Sequence, residues 1–252
     1  MLKENIYGLM ENEIEIRIFD LIDSTNSEAK RCAEDGIKSP VLFIAREQSQ
    51  GRGRMGRSFL SRSGRGIFMS LLYYTKEPLS SAVSITSAAA AIVAKEIEDV
   101  SGNPMKIKWV NDVYNDRGKV CGILSEALPL QDGFAVIVGI GINLGEDDFP
   151  EELCGIASTI GDIGGKEELL VAKIVDGLLD HAKLPEDKSY MAEYRKRFML
   201  KGESVDLLRN GEVIGCGEVV GVDDDGGLIY VPSGEKEPIV IHSGEVSVKK
   251  RK

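Results

Sequence analysis

Histidine and cysteine, the side chains that commonly bind zinc, are scarce in this sequence. Its 252 residues include only two histidines and four cysteines. The cysteines are scattered, without a C-x-x-C pair, a pattern that disfavours a zinc site and a disulfide framework. None of them lies in a recognisable motif with a histidine, so we expect no covalent nucleophile. Reduced thiols of this kind are typical of a cytoplasmic protein.

Long apolar runs and excess positive charge are also missing. No apolar run approaches the roughly 20 residues of a membrane-spanning helix, and residues 1–12 lack the apolar segment of a signal peptide. The formal net charge of -10 disfavours broad binding to DNA or RNA, because such binding depends on neutralising phosphates. We therefore expect a protein that binds neither a membrane nor DNA.

One segment departs from this acidic background. Residues 48–66, here called the arginine loop, contain five arginines, five glycines and no acidic residue. Strand-like apolar segments flank the loop at residues 41–45 and 67–73. Glycines let a backbone fold closely around a ligand, and arginines offer forked donors to carboxylate or phosphate oxygens. This favours a loop that binds a small anion over a solvated loop or a disordered nucleic-acid-binding segment.

The order of the predicted elements indicates the fold class. Helices are predicted at residues 25–34, 81–100, 166–181 and 189–200, and further strands at 14–19, 105–110, 120–126 and 134–140. Interleaved strands and helices indicate an α/β (α+β) fold in which helices flank a mixed sheet. Residues 20–24 are predicted as a loop, and Thr25 with Glu28 matches a capping box at the next helix start.

The pattern changes near residue 200. Short β-rich runs follow at residues 204–208, 213–222, 228–231, 239–242 and 245–248, separated by hairpin-turn signals. Such runs predict a small β-barrel. We therefore expect two domains, residues 1–200 and residues 201–252, with the arginine loop in the first.

Two further stretches carry residues suited to polar or charged ligands. Residues 23–26, Asp-Ser-Thr-Asn, stand at a predicted helix start, where hydroxyls and free backbone N–H groups can meet a ligand. Alone they could be a plain helix cap. A turn joins residues 108–114 to residues 119–126, so Asp112 and Lys119 can lie close together. The carboxylate could hold Mg²⁺ and the lysine could neutralise phosphate charge, although a surface ion pair would give the same pattern.

A last stretch, Gly139-Ile140-Gly141-Ile142-Asn143, follows a predicted strand. Its alternating glycines permit close approach of a ligand to the backbone. The stretch lacks the third glycine of the dinucleotide-binding fingerprint and is weak on its own.

Taken together and in this order, these motifs resemble those of the biotin–protein ligases, also called holocarboxylase synthetases or biotin–[acetyl-CoA-carboxylase] ligases. The resemblance covers residues 14 to about 250. It implies a catalytic domain related to the class II aminoacyl-tRNA synthetases, followed by a small SH3-like barrel. It also implies ATP, Mg²⁺ and biotin as ligands, and an acceptor lysine on a biotin carboxyl carrier protein.

The resemblance also implies roles for individual residues. Biotin would be activated by Arg52, Arg54 and Lys119, and Mg²⁺ would be held by Asp112. The ligand-binding positions would be Ser24, Thr25, Asn26 and Gln48 at the biotin ring, Gly51, Gly53 and Arg57 in the arginine loop, and Asn111, Gly122, Gly141 and Asn143 at the nucleotide. Phe59 stands where the family usually has tryptophan, so we expect adenine to stack on a smaller ring.

Other functions stay open on the residues alone. A lipoate ligase or an octanoyl transferase of the same fold is the alternative enzyme, and a nucleic-acid-binding module using the arginines is the non-enzymatic alternative. About 13 residues precede the first predicted strand, too few for the operator-binding helix-turn-helix of some family members, so we expect no repressor function. An exposed edge strand of the sheet could pair two subunits into a homodimer.

Overall fold

Two sheets and five helices make up the described part of the chain. The computed structural model describes residues 3–76, 82–209, 211–242 and 246–251. The predicted helix start at Ser81 and the predicted strand start at Glu245 lie outside these ranges. The helices are α1 (Lys3–Tyr7), α2 (Thr25–Glu34), α3 (Ala82–Ser101), α4 (Glu167–Lys183) and α5 (Tyr190–Arg197).

The first sheet confirms the predicted mixed α/β architecture. Its strands are β1 (Glu15–Ile22), β2 (Val41–Gln48), β3 (Gly66–Thr75), β4 (Lys106–Lys108), β5 (Asp112–Tyr114), β6 (Lys119–Leu130) and β7 (Gly133–Asn143). Within the described ranges it has seven strands in the order β1-β2-β3-β7-β6-β5-β4. The β1–β2 pair is parallel and every other pair is antiparallel.

Helices cover both faces of this sheet because its strands are apolar on both sides. Successive strand residues point to opposite faces. Phe43 and Leu72 pack with Ala29 of α2 on one face. On the other face, Leu42 and Leu71 belong to the larger core that includes α3 and α4. The end of α2 is sharp because Gly36 adopts a φ of 85°, a conformation that favours glycine. The packing of α2 on the sheet places its first turn against one face of the central strands.

The second sheet follows α5 and is antiparallel throughout. Its strands are β8 (Ser204–Arg209), β9 (Glu212–Val222), β10 (Leu228–Pro232), β11 (Ile239–Ile241) and β12 (Val246–Lys250), in the order β11-β10-β9-β8-β12. Its buried residues share one apolar core with the first sheet. The indole N–H of Trp109 donates a 2.8 Å hydrogen bond to the carbonyl of Gly226, which ties the second sheet to the segment before β5. The boundary at residue 200 stays a prediction.

Several predicted boundaries were wrong. Strand β1 continues through the predicted loop to Ile22, because its parallel pairing with β2 extends to the Ile22–Gln48 pair. The strand predicted at residues 105–110 is shorter in the structure, where β4 ends at Lys108. The next residues form a turn, so that Lys108 pairs with Asp112 of β5. Helix α5 ends at Arg197 rather than at residue 200. Among the described helices, none has the length and apolar character needed to cross a bilayer.

Candidate active site

The floor of the site is formed by two rows of residues across strands β3, β7 and β6. Ser70, Gly139 and Leu124 are register partners in one row, and Phe68, Gly141 and Gly122 in the next. The rows lie two residues apart along each strand, so both face α2. The three glycines give this face a depression that larger side chains would fill.

Two side chains rest directly on the glycines. A Cβ built on Gly139 would lie 1.8 Å from Oδ1 of Asn26, and one on Gly141 would lie 2.5 Å from a ring carbon of Phe59. The Phe59 ring also lies against Gly122 and meets Phe68 edge-on, with the ring centroids 6.3 Å apart. These glycines are therefore required by close packing of protein side chains, whereas the sequence suggested close approach of a ligand.

The first turn of α2 makes tertiary hydrogen bonds where a capping box was predicted. Ser24 is the N-cap residue but makes no capping hydrogen bond through its side chain. The backbone N–H and the hydroxyl of Thr25 both donate to Oε1 of Gln48, over 2.8 and 3.1 Å. The predicted Thr25–Glu28 box was therefore wrong, because Gln48 on β2 takes both donors of Thr25. Ser24, Thr25 and Asn26 are all at most 5% exposed.

Asn26 joins the two strands that flank Gly139. Its amide N–H groups donate to the carbonyl of Leu124 over 3.2 Å and to the carboxylate of Glu126 over 2.9 Å. Its Oδ1 lies 2.7 Å from the hydroxyl of Ser70. Both amide N–H groups of Asn26 are thus engaged within the protein, and its oxygen, which accepts from Ser70, keeps one further acceptor position for a ligand.

The arginine loop folds back on itself between β2 and β3. Gly53 N–H donates to the carbonyl of Arg57 over 2.7 Å, and Phe59 N–H donates to that of Gly51 over 2.9 Å. The turn at its tip uses left-handed backbone at Met55, with φ 58°. A Cβ at Gly51 would meet the Phe59 carbonyl at 2.3 Å, so only glycine fits where the two arms of the loop cross.

Two arginines of the loop reach the strands beside the floor. The guanidinium of Arg54 donates to Oδ1 of Asn111 over 2.7 Å, and Asn111 in turn donates to the Ile123 carbonyl over 2.9 Å. Burial lowers the pKa of Arg54, opposed by the nearby charge of Asp112. Arg52 makes a bidentate pair with the carboxylate of Glu126, at 3.0 and 3.1 Å.

The predicted proximity of Asp112 and Lys119 is confirmed. Their charged groups lie 2.7 Å apart, with about a quarter of each side chain exposed (24% and 27%). Lys108, on the neighbouring β4, has its pKa lowered mainly by burial, while Asp112 opposes that shift. Within the described ranges no three His, Cys, Asp or Glu side chains converge as a metal site. Asp112 is thus a single carboxylate in a basic environment, which suits a metal that keeps water and substrate oxygens as its other ligands.

These side chains line a cavity that continues into a wider groove. The cavity encloses about 440 Å³ of empty space, part of which is open to solvent. It brings together twelve of the residues predicted from the sequence, namely Ser24, Thr25, Asn26, Gln48, Arg52, Gly53, Arg54, Phe59, Asn111, Lys119, Gly122 and Gly141. The groove, about 950 Å³, runs from the arginine loop to β8 and β12 and includes Asp112 and Arg57.

Comparison with known proteins identifies the family. Residues 18–143 match the family model described as Biotin/lipoate A/B protein ligase family. The bifunctional ligase/repressor BirA of Bacillus spizizenii is 33% identical over 230 residues, covering 83% of this chain and 67% of that protein. The chain belongs to the biotin/lipoate A/B protein ligase family.

Other family members support the same assignment. The biotin–[acetyl-CoA-carboxylase] ligase of Paracoccus denitrificans is 38% identical over 126 residues, which cover 48% of this chain and 51% of that protein. The solved structure of the biotin protein ligase from Aquifex aeolicus in complex with biotin and ATP is similar with a TM-score of 0.78 at 29% identity. The match covers 95% of this chain and all of that one (100%). The fold class expected from the sequence is therefore that of biotin ligases.

Two predicted residues line neither the cavity nor the groove, namely Gly51, at the crossing of the two arms of the loop, and Asn143. The Asn143 amide donates to the carbonyl of Ser158 over 3.0 Å and lies 3.4 Å from that of Lys119. These bonds fix the end of β7 against the segment at residues 157–160, and Asn143 lines a smaller neighbouring pocket with Leu60 and Thr159. Its predicted contact with the nucleotide stays a prediction.

Sequence reasoning missed two residues of the site, Ser70 and Glu126. Ser70 lies in the middle of an apolar strand and is fully buried (0% exposed). The sequence predicted Glu126 only as the last residue of a strand. A buried serine in an otherwise apolar strand was the available signal for the first. No local pattern marks Glu126, because its partners are 74 and 100 residues away in sequence.

Proposed function

We propose that this protein is a biotin–protein ligase. It activates biotin with MgATP to biotinyl-5'-AMP and then transfers the biotinyl group to a specific lysine of a biotin carboxyl carrier protein. The observation that carries the proposal is the polar end of the cavity, where Ser24, Thr25, Asn26 and Gln48 are gathered on the glycine floor. The similarity to ligases from Bacillus and Aquifex supports the same activity.

The polar end suits the biotin ring better than lipoate or octanoate. Biotin carries a ureido group with one carbonyl and two N–H groups. Gln48 donates one N–H to Ser61 over 2.8 Å and has a second N–H for a ligand carbonyl. The oxygens of Thr25 and Asn26 can accept from ligand N–H groups. A dithiolane ring or an alkyl chain offers no carbonyl to the second N–H of Gln48 and no N–H to the oxygens of Thr25 and Asn26, so these hydrogen bonds to the ligand would not form.

Activation requires two anions to meet, the biotin carboxylate and the α-phosphate of ATP. Fixed positive charge in a site shielded from water lowers that barrier. Arg54 and Lys119 line the cavity, and both also line the groove, where they can contact both anions. Asn111 holds Arg54 in place through its 2.7 Å hydrogen bond. Asp112 sets the position of the Lys119 ammonium.

Mg²⁺ is expected at Asp112. A single carboxylate with substrate phosphates and water is a common binding mode for this ion. When bound, it supplies charge neutralisation for the phosphates of ATP. Asp112 would hold the ion, and Lys119, 2.7 Å from the same carboxylate, would carry a second positive charge beside it.

The wide groove provides access for the acceptor. The acceptor lysine must reach the acyl carbon while AMP leaves, and the groove between the arginine loop and β12 opens onto the same arginine and lysine. We place the carrier protein at this opening. A cytoplasmic location and a homodimer paired through the edge strand β1 belong to the same proposal.

Biotin-dependent exchange of labelled pyrophosphate into ATP tests the proposal without an acceptor. The purified protein is incubated with MgATP and labelled pyrophosphate, and biotin, lipoate and octanoate are compared at equal concentrations. We expect exchange with biotin alone, because the adenylate forms before the acceptor binds. Exchange with lipoate or octanoate and none with biotin would make this protein a different member of the family.

A further inference from the structure

Glu126 connects the side chain of Asn26 in the first turn of α2 with that of Arg52 in the arginine loop, in addition to the bonds between Thr25 and Gln48. Its side chain projects from β6 and is 26% exposed. One oxygen accepts from the Asn26 amide over 2.9 Å, and both oxygens accept from the guanidinium of Arg52. The carboxylate therefore contacts the first turn of α2 and the start of the arginine loop at once.

The arginine loop is held at several separate points. Arg54 is anchored by its hydrogen bond to Asn111, and Phe59 by the packing of its ring on the glycines. Near the start of the loop, the side chain of Arg52 reaches across to β6 and is held there by Glu126. The Arg52 side chain is 42% exposed. Without Glu126 as its partner, it would be free to move from its position beside the cavity into solvent.

A bidentate pair fixes one edge of a guanidinium and leaves its remaining N–H groups free to donate elsewhere. An arginine has five N–H donors, and the pair with Glu126 uses two of them. Because Arg52 lines the cavity, its remaining donors are positioned for a ligand carboxyl or phosphoryl group. Glu126 itself is not among the residues that line the cavity.

We infer that Glu126 is a positioning residue that holds Arg52, and with it the start of the arginine loop, over bound biotinyl-adenylate. The inference rests on the proposed function. Glu126 acts through Arg52 and keeps the loop in place before the ligand arrives. The cost of ordering the loop is then smaller on binding, and the adenylate is retained for longer.

Glu126→Gln weakens the contact with Arg52 while it keeps the contact with Asn26. The new amide oxygen, in place of Oε2, can still accept from Asn26 and from one N–H of Arg52. The new amide N–H₂, in place of Oε1, faces the other donor of Arg52 and cannot accept from it, and the negative charge is lost. Preformed labelled adenylate is chased with unlabelled ligand, and its dissociation from the enzyme is followed. We expect dissociation to become faster by about tenfold, as for the loss of about 1.4 kcal/mol from a half-exposed charged pair. The KM for biotin should rise more than kcat falls.

Two controls separate positioning from general stability. Glu203→Gln removes a comparable carboxylate, 32% exposed and paired with Lys250 at 2.7 Å, but on the second sheet. It should leave adenylate dissociation unchanged. Arg52→Ala should release adenylate faster by itself, and adding Glu126→Gln to it should have no further effect.

The outcomes separate the inference from the proposed function. Dissociation within about twofold of wild type in Glu126→Gln would overturn the inference, and so would a full additional effect in the Arg52→Ala background. A lower melting temperature with unchanged dissociation would make Glu126 merely structural and also overturn it. Failure of the wild-type protein to form any biotinyl-adenylate would instead refute the proposed function itself.

Discussion

Replacing Gly139 by alanine adds one methyl group at the point where Asn26 rests on the sheet. The new Cβ would lie 1.8 Å from Oδ1 of Asn26 and 2.7 Å from its Cγ. Real Cβ atoms do not approach so closely, so either the amide of Asn26 or the strand must move. Backbone pairing with Ser70 and Leu124 holds Gly139 on both sides. We therefore expect the Asn26 side chain to be displaced.

The magnitude follows from the bonds that Asn26 would lose. Its amide contacts Ser70 at 2.7 Å, Glu126 at 2.9 Å and Leu124 at 3.2 Å. Each such bond contributes about 0.5–1.5 kcal/mol. If two of the three are lost or distorted, the cost is about 1–3 kcal/mol, or roughly 5- to 150-fold in an equilibrium constant. Because Asn26 lies at the polar end of the cavity, we expect much of this loss in biotin affinity.

Titration calorimetry with biotin, together with thermal unfolding, measures both parts of the effect. Gly221→Ala is the matched control, since it adds the same methyl group to a strand of the second sheet with no atom within 4 Å. The control should bind biotin as wild type does. A Gly139→Ala variant with a Kd within about threefold of wild type would refute the argument that Asn26 is held at the biotin ring by close packing on Gly139.

Two further predictions concern charge. Lys119→Gln should slow adenylate formation by about 100-fold or more in single-turnover assays, because it removes a charge opposite the reacting anions. Lys106→Gln, which loses an exposed ion pair on β4, should change the rate by less than about threefold, and equal effects of the two would contradict a catalytic role. The bidentate hydrogen bonds from Arg31 lower the pKa of Asp23 from 3.8 to about 2. A carboxyl group whose pKa is lowered in the folded state stabilises the fold at pH values above its ordinary pKa. This stabilisation is lost as the pH falls through the lowered pKa. Asp23→Asn should therefore reduce the free energy of unfolding at pH 7, by less than about 1 kcal/mol for this largely exposed pair. The difference should disappear between pH 4 and pH 2, and a difference that persists at pH 2 would contradict this origin.

The residues that line the cavity could be predicted because each motif places side chains suited to binding a ligand at the end of a strand or helix. Asp112 and Lys119 show how far this reasoning reaches: a short turn joins their strands, and their charged groups lie 2.7 Å apart. Local spacing was sufficient there because the two residues belong to one hairpin. The division into a larger mixed sheet and a smaller antiparallel sheet was equally visible, as a change in strand length after residue 200.

Contacts between distant segments could not be predicted in this way. The hydroxyl of Thr25 matched a local capping pattern, yet it donates to Gln48, 23 residues away. Glu126 reaches Asn26 and Arg52 only because β6 lies beside β7 and α2 packs over that row. Strand order and register decide such contacts, and they arise from pairing across the whole sheet. The packing roles of Gly139 and Gly141 became clear only with the side chains that rest on them.

The most direct test of the account is the mass of an acceptor. A purified biotin carboxyl carrier domain is incubated with this protein, biotin and MgATP, and its intact mass is measured beside reactions that lack ATP or contain lipoate in place of biotin. The account predicts that the domain gains one biotinyl group on its acceptor lysine only in the complete reaction. An unchanged mass with biotin, or a gain with lipoate instead, would contradict it.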